Sequence, residues 1–142
     1  MNAGHADLAV VRRHLLAIDA SLRNLERHRG KPVEDLHSDL DERWTVERGL
    51  QLCAQNALDI ATHLAASAGR DAPDYATAID QLGALGALPS DFARRFRAVA
   101  GFRNILVHGY LALDVERMHR LLNEQLEDFR VFAAHIERYL HP

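Results

Sequence analysis

The sequence predicts an all-α bundle of about five helices in a single domain spanning residues 1–142. Three observations predict it. Apolar residues recur at steps of three and four along most of the chain. The eight glycines and four prolines cluster between those periodic segments. No alternating run is long enough to build a sheet.

The first helix is read from Leu8, Val11, Leu15, Ile18, Leu22 and Leu25, a stripe of about five turns with Arg12, Arg13, Asp19, Arg23 and Glu26 off it. Gly30-Lys31-Pro32 stops it. Residues 33–38 fit no single pattern. A second helix is expected from about Asp39 to Ala68, through Leu40, Trp44, Leu50, Cys53, Ala54, Ala57, Ile60, Ala61 and Leu64. Thirty residues would span roughly 45 Å, so a kink or break is expected near Thr45 or Gly49. Gly69 and Asp71-Ala72-Pro73 close that helix. Asp74 caps a short helix to about Leu82. Ser90 is the expected N-cap of a helix running to about His108, where Gly109 interrupts it. Asp114 caps the last helix, which turns Val115, Met118, Leu121, Leu122, Leu126, Phe129, Phe132, Ala133, Ile136 and Leu140 inward.

Composition excludes several classes of function. No stretch of eighteen uncharged apolar residues exists to cross a membrane. The first seven residues lack the basic and apolar regions of a signal peptide. A lone cysteine, Cys53, forbids an internal disulfide and a cysteine-built zinc site. Together these lead to a cytoplasmic expectation. The net charge of −3 argues against nucleic-acid binding through bulk charge, so any such binding needs a local patch.

One patch stands out. Between Phe92 and Leu113 no residue is acidic, while Arg94, Arg95, Arg97, Arg103 and His108 all fall there. Arg94, Arg95 and Arg97 either form a phosphate-binding surface or are a solvated face paired with acids such as Asp35, Asp39, Asp41 and Glu42. Within Gly101-Phe102-Arg103-Asn104-Ile105-Leu106-Val107-His108-Gly109-Tyr110, Asn104 and His108 share a helix face. Arg103 and His108 lie roughly 140° apart, placed to flank a ligand from two sides. At a helix C-terminus the dipole would favour the imidazolium of His108. Spacing alone favours a structural capping role over a site.

The octet from Arg103 to Tyr110 resembles the Arg-x4-His-x-Tyr motif of HepT-like toxins, a branch of the helical HEPN superfamily. The likeness extends to Asp59-Ile60-Ala61-Thr62-His63, to the stretch from Tyr75 through Leu82, Leu85 and Leu88 to Phe92, and to the approach Val99-Ala100-Gly101-Phe102. It covers roughly residues 8–140. The resemblance implies a metal-independent endoribonuclease toxin that acts as a homodimer, with two motif copies meeting across the interface and no cofactor. His108 would move protons, Arg103 would hold the phosphate, and Asn104 would orient either one. It also implies a partner, an MntA-type nucleotidyltransferase antitoxin that transfers AMP to the motif tyrosine, Tyr110, and silences the nuclease. The alternative is a non-catalytic helical binding module for such a nucleotidyltransferase, and a third reading is a purely structural bundle.

Other residues carry weaker expectations. Asp59 and His63 have metal-pair spacing, but no third ligand follows, so hydrogen bonding or support of His108 is the better reading. Glu47 and Asp59 reach toward the motif from the second helix, where an acid would orient His108 or position a partner. Trp44 reads as core or interface, and Cys53 as inert core.

Overall fold

The computed structural model describes residues 6–108 and 114–142; the side chains of residues 107 and 108 lie outside the described set. Every regular element among them is helical: α1 (Leu8–Glu26), α2 (Val33–Ser38), α3 (Leu40–Ser67), α4 (Tyr75–Ala84), α5 (Ser90–Phe96), α6 (Ala98–His108), α7 (Val115–Glu124) and α8 (Leu126–Leu140). The five expected segments are all present. The ambiguous stretch after Pro32 adds α2, and the fourth and fifth segments are each interrupted once, at Arg97 and at Gln125.

α3 is the spine. It packs against α1, α2, α4, α6, α7 and α8. It runs from Leu40 to Ser67 without the break expected near Thr45 or Gly49. Gly49 serves the packing instead: a Cβ there would lie 2.7 Å from Leu25 Cδ2 and 2.9 Å from Leu25 Cγ, so the glycine lets α1 sit close. α1 and α3 are antiparallel. Leu25 meets Gly49, His14 Nδ1 pairs with Asn56 Oδ1 at 2.7 Å, and the Asp7 amide donates to His63 Nε2 at 2.9 Å.

Helix starts follow local chemistry. Side-chain oxygens of Asp7, Asp39, Asp74 and Asp114 accept backbone amides of α1, α3, α4 and α7. Ser90 does not cap α5. It is the first helical residue, after an extended Pro89, and makes no capping bond.

One core runs through the bundle and includes Val11, Ile18, Leu25, Leu50, Leu58, Ile60, Leu64, Ile79, Leu82 and Met118. Cys53 is fully buried within it, and burial pushes its thiol up to about 12, which keeps it inert. At the α5–α8 end the core is aromatic: Phe96 stacks on Phe132 at 4.8 Å and meets Phe129 edge-on at 5.8 Å. Trp44, expected in the core or at an interface, is 57% exposed in the chain, and Leu40 is 44% exposed. The apolar pattern of α3 thus begins a turn and a half before its burial does. Near the α1–α2 junction Glu42 accepts from His28 at 2.9 Å and from Lys31 at 2.7 Å, and these two donors hold its carboxyl below the usual range.

Candidate active site

α6 carries the motif, and α3 and α4 hold its arginine. Arg103 Nε donates to Gln55 Oε1 at 2.7 Å, Nη1 donates to Asn104 Oδ1 at 3.2 Å, and the guanidinium lies over the Tyr75 ring, 5.4 Å from its centroid. Gln55 is the hub. Its amide nitrogen donates to Asp59 Oδ1 at 2.8 Å and to the Tyr75 hydroxyl at 3.2 Å. The remaining Nη protons of Arg103 meet no acceptor among the described residues, and the side chain is half-buried.

Asn104 therefore turns its oxygen toward Arg103. It also borders an open cleft between α4 and α6 of about 560 Å³, with Tyr75, Ala76, Ala100 and Gly101. His108 is the last residue of α6, the helix end expected for it. Its side chain and all of Tyr110 lie outside the described residues.

The other expected residues separate. Asp59 joins the Gln55 network, whereas His63, one turn on, accepts the Asp7 amide. That splits the pair considered for a metal, and no cluster of three metal-ligating groups occurs among the described residues. Glu47 is half-buried on α3; desolvation raises its carboxyl above the usual value, and Arg43 offsets part of that shift.

Arg94, Arg95 and Arg97 of the basic run each have a carboxylate, though not those expected. Arg94 pairs with Asp91, Arg95 with Asp128 at 3.2 Å, and Arg97 with Asp80 at 3.0 Å. Asp35, Asp39, Asp41 and Glu42 belong instead to the α2–α3 corner. Arg95 also covers the Phe92 ring at 5.0 Å. It lines a cleft of about 220 Å³ together with Arg117 and Arg120 of α7, over Phe96, Phe102 and Phe129.

Sequence reading missed Gln55, Tyr75, Arg117 and Arg120. Gln55 and Asp59 share a face of α3 by their spacing. The contact of Gln55 with Arg103 is a product of tertiary packing and leaves no local signal.

A family model described as ribonuclease HepT-like matches residues 18–136. This chain belongs to the HepT-like ribonuclease family. A curated relative, the tRNA nuclease HepT of Aphanizomenon flos-aquae (strain 2012/KM1/D3), is 26% identical over 133 residues, covering 92% of this chain and 90% of the relative. The fold is also that of a Shewanella oneidensis HEPN toxin, solved in a tri-AMPylated form in complex with an MNT antitoxin. That match has a TM-score of 0.80 and 20% identity, and covers 91% of this chain and 97% of the other. The cytosolic protein YutE of Bacillus subtilis has the same fold, with a TM-score of 0.81 at 20% identity, over 95% of this chain and 91% of its own. These neighbours bear out the all-α HEPN-type bundle, and the family match bears out the resemblance carried by the octet. No described helix is long and apolar enough to cross a membrane.

Proposed function

We propose that this chain is a metal-independent RNA endonuclease, the toxin of a toxin–antitoxin pair, working as a homodimer. The observation that carries the reading is the motif arginine of a HepT-like chain, held through Nε while its Nη edge stays available to a phosphate.

The chemistry needs few parts. A base removes the proton of an RNA 2′-hydroxyl, and the oxygen attacks the adjacent phosphorus. The bond to the 5′-oxygen breaks, and an acid protonates that oxygen. A 2′,3′-cyclic phosphate and a 5′-hydroxyl result. His108 residues from two copies divide the two proton transfers. Arg103 meets the charge that grows on the phosphorane, and Asn104 steadies Arg103 through its side-chain oxygen. Asp59 acts at one remove through Gln55, and Glu47 supplies a carboxylate on the same helix. Arg94, Arg95 and Arg97 contact flanking RNA phosphates by exchanging their present carboxylates for them, and Arg95 does so with Arg117 and Arg120 beside it. The dimer interface involves residues 92–110. The partner is an MntA-type nucleotidyltransferase that transfers AMP from ATP to the Tyr110 hydroxyl, with pyrophosphate leaving and the phenolic proton lost, and the pair acts in the cytoplasm.

The test is cleavage of RNA in EDTA by the purified chain, with end-group analysis of the products. Cyclic-phosphate ends from the native chain and none from His108→Ala support the reading. Activity abolished by EDTA and restored by Mg²⁺ overturns the mechanism.

A further inference from the structure

We propose that Gln55 is a positioning residue for Arg103: its side-chain amide sets the orientation in which the guanidinium meets phosphate. The inference rests on the reading of Arg103 as the phosphate-holding group.

Three partners define the amide. Arg103 can only donate, and the Asp59 carboxylate oxygen accepts. The amide oxygen must therefore face Arg103 Nε, at 2.7 Å, and the amide nitrogen must face Asp59 Oδ1, at 2.8 Å. The Tyr75 hydroxyl, 3.2 Å from the same nitrogen, accepts from it. With Asp59 and Tyr75 holding the NH₂ group, the amide cannot flip without facing donor against donor at Arg103 and acceptor against acceptor at Asp59. Its oxygen is thus a fixed acceptor.

That acceptor engages Nε, the one guanidinium nitrogen on the stem side. A carboxylate in its place would neutralise Arg103, and a phosphate would then compete with a resident anion. A neutral amide orients the cation and leaves its charge to the ligand. The Tyr75 ring below the guanidinium limits tilt, 5.4 Å from Cζ. Asp59 lies one step further away and reaches Arg103 through the amide. The arrangement therefore combines a neutral acceptor on Nε, a second neutral acceptor, Asn104 Oδ1, on one Nη1 proton, an aromatic face under the plane, and remaining Nη protons that meet no acceptor among the described residues.

Four measurements on the full chain test this. In Gln55→Leu, the Arg103 Nε–H resonance, assigned by its loss in Arg103→Lys, should move and exchange faster with water. RNA cleavage by the same variant should fall about tenfold to a hundredfold, since small misplacements of a catalytic group cost that much. In the Arg103→Ala background, Gln55→Leu should add less than about twofold, because a residue acting through another has nothing left to position. Gln55→Glu is the conservative rescue and guards against misfolding of the leucine variant. Its new carboxyl group faces Asp59, Tyr75 and Arg103. When that group and Asp59 share one proton, an O–H replaces the amide donor and the hydrogen-bond pattern is restored. The activity of Gln55→Glu relative to the native chain at the same pH should accordingly rise as pH is lowered.

An unmoved Nε–H resonance in Gln55→Leu, or cleavage losses that multiply in the double variant, overturns the proposal. A native chain that cleaves no RNA instead overturns the ribonuclease reading, while the resonance still decides whether Gln55 orients Arg103.

Discussion

Leu25 of α1 fills the hollow left by the missing side chain of Gly49 on α3. A Cβ added at Gly49 would come within 2.7 Å of Leu25 Cδ2, so the side chain of Leu25, which is fully buried, would have to shift. Gly49→Ala gains about 1 kcal/mol of helix propensity but meets an overpacking cost of about 1–3 kcal/mol. The expected outcome is a small net loss of stability, larger for Gly49→Val. Adding Leu25→Ala should reverse the sign of the Gly49→Ala effect, because the clash goes while the propensity gain stays. Thermal unfolding of the two single variants and the double checks this; additive effects would rule the contact out as the cause.

Glu47 leads to a prediction about pH. Desolvation raises its folded-state carboxyl above the ordinary value of 4.5. The unfolded chain therefore loses that proton at lower pH than the folded one, and the group disfavours folding once pH rises through and above that value. Glu47→Gln should be as stable as the native chain near pH 3 and more stable at pH 7. If Glu47 also serves the site, the same variant should cleave RNA more slowly. Denaturant unfolding at the two pH values, read beside activity, separates the effects.

Arg103→Ala and His108→Ala should each lower RNA cleavage by about 10²–10⁴, the usual cost of losing a group that transfers a proton or meets transition-state charge. Far-ultraviolet circular dichroism should be unchanged, since Arg103 lies outside the core and His108 is the last residue of its helix. Arg94→Ala should raise KM with little change in kcat and lessen the salt dependence of RNA binding. Equal loss in kcat and kcat/KM for Arg94→Ala would place that residue at the reaction centre instead.

Tyr110→Phe should cleave RNA yet escape silencing by a co-expressed nucleotidyltransferase partner. Intact-mass spectra of the native chain made with that partner should gain one or more AMP units, and tandem spectra should place them on Tyr110, each a bulky anion that competes for Arg103 and His108. Adducts on Tyr75 or Tyr139, or normal silencing of Tyr110→Phe, would move control to steric capture.

Much of the fold was legible in the sequence because helices advertise themselves locally. The stripe from Val11 to Leu25 and the caps Asp74 and Asp114 are features of a few neighbouring residues. The breaks at Arg97 and Gln125 were not, for a related reason. Val115, Met118, Leu122, Leu126, Phe129, Phe132 and Ile136 are all buried and keep helical spacing straight across Gln125, with no glycine or proline to mark the interruption. At the site, Arg103 and Asn104 could be picked from the octet, but their holder could not. Gln55 lies 48 positions away and bears no charge that would attract notice. The basic run misled in a different way: Arg94 pairs with Asp91, three residues back on the same helix, while Arg95 and Arg97 pair with Asp128 and Asp80, which only the docking of α8 and α4 brings near.

Lys31 is the single lysine in the chain, beside sixteen arginines, and it leans on Glu42 at the α1–α2 junction. Acyl transfer to side-chain amines, by acetylation or by an amine-reactive dye, thus has one address in the whole chain, far in sequence from Arg103. Acetylation there would remove the ammonium charge that faces Glu42 and leave a neutral amide N–H beside it. The basic side chains along α5, α6 and α7 are arginines and histidines, which lysine acetylation cannot erase. The same distribution makes the chain convenient at the bench: an amine-directed fluorophore or surface tether would attach at Lys31 or the N-terminal amine and leave every arginine untouched.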